Sequence, residues 1–185
     1  MMSVQPIVRY CRAVAGQQRD VVDRITSQWH AARPDVDVSP MTVIGRVSRL
    51  SRLVDRRLAE NFARHGIENW MYDVLATLRR QGEPYELTAG DLVRQTMVTT
   101  GAITNRVDRL AQRGLVERAG ADDRRKVIVR LTPRGLDLVD QVIGSHLATE
   151  REILAALSPR QQADLVRLLR TALLSLGDVA EAADG

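Results

Sequence analysis

The residues best equipped for chemistry in this chain fall between Leu87 and Thr132. Thr99, Thr100, Gly101, Thr104, Asn105 and Arg109 place small, hydroxyl, amide and guanidinium groups along about three turns of one helical stretch. Small residues let a helix come close to a duplex. Asn and Arg match base edges in a major groove, and hydroxyls reach phosphate oxygens. A second basic group, Arg124, Arg125 and Lys126, follows in a loop. Catalytic chemistry is not indicated, because no nucleophile–base motif and no phosphate-cradling glycine loop is present. His30, His65 and His146 are dispersed and no Cys/His cluster occurs, so neither a metal nor a cofactor is expected.

The elements that must position these groups are legible locally. Thr88-Ala89-Gly90-Asp91 forms a capping box in its Asp form and starts a helix carrying Leu92 and Val93. Met97-Val98 interrupts it, and Thr99 caps a second helix running to about Arg113, closed by Gly114. Leu115–Arg118 and Val127–Leu131 read as a hairpin around the long loop Ala119–Lys126. Helix, turn, helix and two-stranded wing make a winged helix-turn-helix. Its second helix enters a major groove, and its wing follows the backbone or an adjacent minor groove. At about 100° per residue, Ile103, Val107 and Leu110 share the inward stripe. Gly101, Asn105, Asp108, Arg109 and Gln112 lie opposite, with Thr100 and Thr104 along a side. The alternative reading is a solvated face on an ordinary surface helix.

Charge is consistent with a nucleic-acid partner. The chain of 185 residues carries a formal net charge of +4, unevenly placed. Arginines crowd Arg46–Arg64 and Arg79–Arg134, whereas the end of the chain is acidic and Ala-rich. Lys126 is the only lysine, so part of the arginine usage is compositional. The single Cys11 excludes an intramolecular disulfide framework. Charge interrupts every apolar stretch, which predicts a cytoplasmic chain without signal peptide or membrane span. Aromatic residues make up 3% of the chain, too few for the stacking platforms that hold single strands.

Long helical periods flank the winged region. A helix is expected over Gln17–Ala32, with Val21, Val22, Ile25 and Trp29 on one stripe. Ser39-Pro40 opens another to about His65, carrying Val43, Ile44, Val47, Leu50, Val54, Leu58 and Phe62. A helix over Glu68–Arg80 buries Met71, Val74, Leu75 and Leu78, and Glu83-Pro84-Tyr85 is a loop. After the wing, Thr132-Pro133 opens a helix toward Leu157 and Ser158-Pro159 opens the last one. The organisation predicted is residues 1–39 as an N-terminal extension and 67–132 as the DNA-binding region. Residues 40–66 and 133–177 are dimerisation helices, and 178–185 an acidic flexible tail. The fold class is mainly α, a winged helix-turn-helix whose long flanking helices form a dimer platform.

Thr104-Asn105-Arg106-Val107-Asp108-Arg109-Leu110, then Gly114-Leu115-Val116, then Asp123-Arg124-Arg125 leading to Val129-Arg130-Leu131-Thr132, resemble the MarR family of bacterial transcriptional regulators. The likeness covers about Met41 to Leu174. It implies a homodimer on a palindromic operator, acting as a repressor released by a small molecule. Asp123 would brace the wing, and Arg124 or Arg125 would enter the minor groove. The helix containing Trp29, Tyr72-Asp73-Val74-Leu75, Pro84–Thr88 and Gly101–Arg106 look like the urate-responsive branch. That resemblance assigns Trp29, Asp73, Arg94 and Arg106 to a site for urate or a similar planar anion.

Arg106 also has support from helical angle. It lies about 60° from the centre of the apolar stripe and so points toward the body of the protein, where Asp73 is its expected carboxylate. A flat anion could take over that guanidinium while stacking on an aromatic ring. The competing reading makes Trp29 plain core and Asp73–Arg106 a structural ion pair. Arg94 falls opposite Leu92, toward solvent or DNA. Cys11 beside Tyr10 resembles peroxide-sensing family members, but no cationic helix end lies nearby to activate the thiol. Two function classes remain: a ligand-responsive DNA-binding regulator, and an architectural or protein-interaction module without a ligand switch.

Overall fold

The computed structural model describes residues 18–96, 100–120 and 127–179. Thr99, Arg124, Arg125, Lys126, Cys11 and the end of the acidic tail lie outside the described residues. The chain divides into two compact units, residues 1–56 and 57–185.

The first unit holds α1 (Val21–Ala32) and the N-terminal turns of α2 (Ser39–Arg64). α1 starts at Val21, with its apolar stripe, rather than at the expected Gln17. Asp20 accepts from the Val22 and Asp23 amides while Asp23 reaches back to the Asp20 amide, a reciprocal cap that fixes the first turn. Asp37, two residues before Ser39, accepts the Ser39 amide at 2.9 Å, so Ser39 is helical rather than the cap. Within this unit Val22 is buried against the bare backbone of Gly45, where an added Cβ would stand 3.2 Å from Val22 Cγ1. Arg46 clamps the same contact, with Nε 2.9 Å from Asp20 Oδ2 and Nη2 2.6 Å from Asp23 Oδ1.

The second unit carries the winged helix-turn-helix, the reading head. α3 (Asn69–Arg79) is followed by β1 (Glu86–Thr88), α4 (Ala89–Gln95), α5 (Thr100–Gln112), β2 (Val116–Gly120), β3 (Val127–Leu131), α6 (Pro133–Leu154) and α7 (Pro159–Ser175). The sheet has three strands rather than the two of the expected hairpin, in the order β1-β3-β2 and antiparallel throughout. Leu87 pairs with Val129, so the segment entering the helix-turn-helix is stitched to the wing. Thr88 caps α4 by accepting the Asp91 amide, but the expected reciprocal box is only half formed, because the Asp91 carboxylate takes the Thr88 hydroxyl rather than the Thr88 amide. Thr132 caps α6 through Gly135, and Ser158 and Gln161 cap α7 reciprocally.

One core joins these elements. Leu75, Leu78, Leu92, Ile103, Leu110, Leu115, Val129 and Val142 are all buried in it. The first half of α6 seals this core, with Gly135, Val139 and Val142 buried. Phe62, Tyr72 and His146 stack beside the core with ring centroids 4.6 to 5.4 Å apart. Burial, and then Glu150, push the Tyr72 phenol up to about 12. α7 buries none of its residues. No helix among the described residues is long and apolar enough to cross a membrane.

Candidate nucleic-acid interface

The reading helix α5 is oriented by its apolar stripe. Ile103, Val107 and Leu110 are buried as the helical period predicts, which turns Thr104, Asn105, Arg109 and Gln112 to the outside. Gly114 ends the helix with φ +67°, a conformation that glycine adopts at no steric cost. Thr100 and Gly101 form the first turn of α5. The remaining DNA-facing candidates, Thr99, Arg124, Arg125 and Lys126, fall outside the described residues.

Charged side chains then fix the helix against its surroundings. Asp108, expected on the outer face, is half-buried and pairs with Arg118 of β2 at 2.5 Å, tying reading helix to wing. Arg109 Nη2 lies 2.8 Å from Glu68 Oε1, and its guanidinium stands 4.7 Å above the Trp70 ring. Arg113 donates to the Gly66 carbonyl at 2.9 Å. Arg109 thus stays half exposed on the outer face while anchored to the start of α3. In the wing, Arg130 of the central strand pairs with Glu86 on one side at 2.6 Å and Glu117 on the other at 3.6 Å. Such cross-strand pairs fix register.

The four residues expected around a ligand are distributed over both units. Trp29 belongs to the first unit and is 46% exposed, so it is not core there. Asp73, Arg94 and Arg106 belong to the second. The expected ion pair between Asp73 and Arg106 is not formed. Arg106 instead has its guanidinium 5.6 Å over the Trp70 ring, while Asp73 feels it only as a through-space charge. Desolvation raises the Asp73 carboxyl above its ordinary value, against the longer-range pull of Arg106 and Arg80. Arg94 is exposed and pairs with Asp91 on its own helix, consistent with the outward angle read from the sequence.

Trp70 and Glu68 were missed by the sequence reading, and so were the Arg118–Asp108 and Arg130–Glu86 pairs. A tryptophan at the start of an amphipathic helix reads as core; its two arginine neighbours come from a helix some 36 residues away, beyond any local pattern. Among the described residues no group of three or more His, Cys, Asp or Glu is placed to hold a metal.

Comparison with known proteins converges on one group. A family model described as MarR family matches residues 65–126. The chain is 40% identical over 149 residues to the HTH-type transcriptional regulator PecS of Dickeya dadantii, covering 80% of this chain and 90% of that protein. Among solved structures it is similar to a cysteine-to-serine variant of MarR from E. coli complexed with operator DNA, with TM-score 0.66 and 27% identity over 75% of this chain and 99% of that one. It is also similar to BpsR of Bordetella bronchiseptica, whose DNA binding is regulated by 6-hydroxynicotinic acid, with TM-score 0.63 and 25% identity over 70% of this chain and 93% of that one.

Proposed function

The chain belongs to the MarR family of DNA-binding transcriptional regulators, and on that premise we propose a repressor that binds a palindromic operator as a homodimer and is released by a small planar anion such as urate. The observation that carries the DNA half is the orientation of α5: a buried Ile103/Val107/Leu110 stripe aims Thr104 and Asn105 outward from a rigid support. Thr99, Thr100, Gly101 and Arg109 complete the groove-facing set, with Arg124, Arg125 and Lys126 as the basic wing tip.

The homodimer is supported by apolar surface that a lone chain leaves in water. Val43 and Ile44 of α2 are 62% and 64% exposed, and Leu168 and Leu174 of α7 are 56% and 51% exposed. Stripes of this kind are expected to be covered, and a second copy is the simplest cover. The proposed ligand set is Trp29, Asp73, Arg94 and Arg106. Its support is the resemblance to the urate-responsive branch, together with a small heteroaromatic acid as the regulator of BpsR.

The test is duplex binding measured over a range of salt, followed by titration of urate into the protein–operator complex. A regulator that neutralises phosphates shows affinity falling steeply with salt. Salt-independent or absent duplex binding would instead favour a protein-interaction module. Urate-driven release supports the effector, and release only by other planar acids moves the assignment to them.

A further inference from the structure

Glu68 occupies the N-cap position of α3, yet its side chain makes no capping hydrogen bond. Its carboxylate turns away from its own helix and takes Arg109 of the reading helix at 2.8 Å. The Trp70 indole N–H is the main influence holding the Glu68 carboxyl below its ordinary value, with Arg109 and Arg113 adding to it. The same ring carries the Arg109 guanidinium 4.7 Å above its centroid. Carboxylate, ring and guanidinium therefore close on one another at the edge of the surface that α5 presents. Both charged side chains remain about half exposed, so the pair is open to competition from solvent ions.

A duplex approaching α5 brings phosphates that compete for Arg109. Either the arginine leaves Glu68 for a phosphate, or Glu68 accompanies it and places a negative charge beside the backbone. The first course breaks the ion pair and leaves Glu68 a bare carboxylate beside the duplex. The second cancels the charge that would neutralise a phosphate, and counterion release sets both affinity and its salt dependence. We propose that Glu68 is a resident competitor for Arg109, which holds DNA affinity below the level the arginine alone would give. Because phosphates compete for Arg109 on any duplex, the competition weighs on random sequence at least as much as on the operator. This inference rests on the DNA-binding reading above.

The experiment uses the full chain, an operator duplex and a random duplex of equal length, and anisotropy titrations over a salt series. Glu68→Gln keeps the shape and removes the charge. The expected result is binding about 3- to 10-fold tighter at low salt, with the slope of log K against log salt steeper by up to about one. The gain on the random duplex should equal or exceed that on the operator. In an Arg109→Gln background the same substitution should give no gain, which separates direct competition from a general change in net charge. Weaker or unchanged binding with an unchanged slope overturns the proposal, as does a gain that survives in the Arg109→Gln background. A wild type that binds the duplexes without salt dependence overturns the DNA-binding reading first, and the inference with it.

Discussion

Gly135 lies so close to Leu115 that a Cβ built on it would stand 2.0 Å from the Leu115 carbonyl oxygen and 2.9 Å from the carbonyl carbon. Here the first turn of α6 crosses the chain where it leaves the reading helix. Thr132 closes the crossing with its amide on the Leu115 carbonyl at 3.2 Å and its hydroxyl on the Gly114 carbonyl at 2.7 Å. The start of α6 and the end of α5 thus move as one piece. In Gly135→Ala the clashing atoms are the Leu115 backbone, with the Leu131 side chain also 3.3 Å away, and the change should cost about 2–3 kcal/mol in urea unfolding, as overpacking does. Gly144→Ala is the control on the same helix. Nothing lies within 4 Å of its added methyl, so it should gain about 0.5–1 kcal/mol. Equal stability of the two variants would mean that α6 does not clamp the reading head.

Asn105→Ala should weaken operator binding by about 1–3 kcal/mol, the range for one bidentate base contact, while the melting temperature stays within a degree or two. Asn105 is exposed on the outer face of α5, so stability and binding separate cleanly in this variant. Unchanged operator affinity would remove Asn105 from the groove.

Local patterns made the reading helix legible and left its setting obscure. Ile103, Val107 and Leu110 declare their face by period alone, and Thr88, Thr132 and Ser158 declare three helix starts by cap chemistry. β1 was invisible for a physical reason. Three residues carry no periodic signal, and the strand exists only because Val129 pairs with Leu87 from 42 residues away. The Arg106 error has the same origin. Helical angle gave the correct direction, toward the body of the protein. It could not say that Trp70 rather than Asp73 would be the group met there. α1 starts at Val21 because the reciprocal Asp20–Asp23 cap fixes its first turn there, and the expectation from Gln17 carried no cap signal.

Acid should release α1 within the first unit. Arg46, foremost, and the Asp20 amide hold the Asp23 carboxyl below its ordinary value. A carboxyl lowered by folding contributes stability that is complete above its unfolded value and lost as pH falls through the folded one. The loss therefore begins below about pH 4. Trp29 emission in a Trp70→Phe variant reports it, since the chain has 2 tryptophans. Arg46→Ala should show the acid-like emission already at neutral pH. A flat emission down to about pH 3 in both proteins would dissociate Asp23 from the placement of α1.

Deleting the chain from Ser158 onward removes α7, none of whose residues is buried in a single chain. Sedimentation of the truncated protein should show monomer or aggregate in place of dimer. Because α7 contributes nothing to the core of its own chain, the reading head should keep its fold and its far-ultraviolet signature minus one helix. A clean, stable dimer after the deletion would place the interface on other surfaces, with the exposed Val43 and Ile44 of α2 the next to test.

The effector prediction turns on Arg106. In the structure its guanidinium faces the Trp70 ring at 5.6 Å, an attraction weaker than the charge-assisted hydrogen bonds that an anion offers. A planar anion such as urate should therefore draw Arg106 off the ring, and the first turns of α5 with it, changing how the two heads of a dimer are spaced on an operator. Linkage makes this quantitative. A tenfold loss of DNA affinity at saturating urate corresponds to about 1.4 kcal/mol of coupling, and bound operator must weaken urate by the same factor. Arg106→Gln should bind operator with urate-insensitive affinity, and Trp29→Phe and Asp73→Ala should each shift the release curve to higher urate. With one fluorophore left, Trp70→Phe assigns any quenching on urate addition to Trp29, and Trp29→Phe assigns it to Trp70. Quenching confined to Trp29 supports the ligand set proposed here. If only Trp70 is quenched, the stacking ring belongs to α3, and the anion binds where Arg106 already rests.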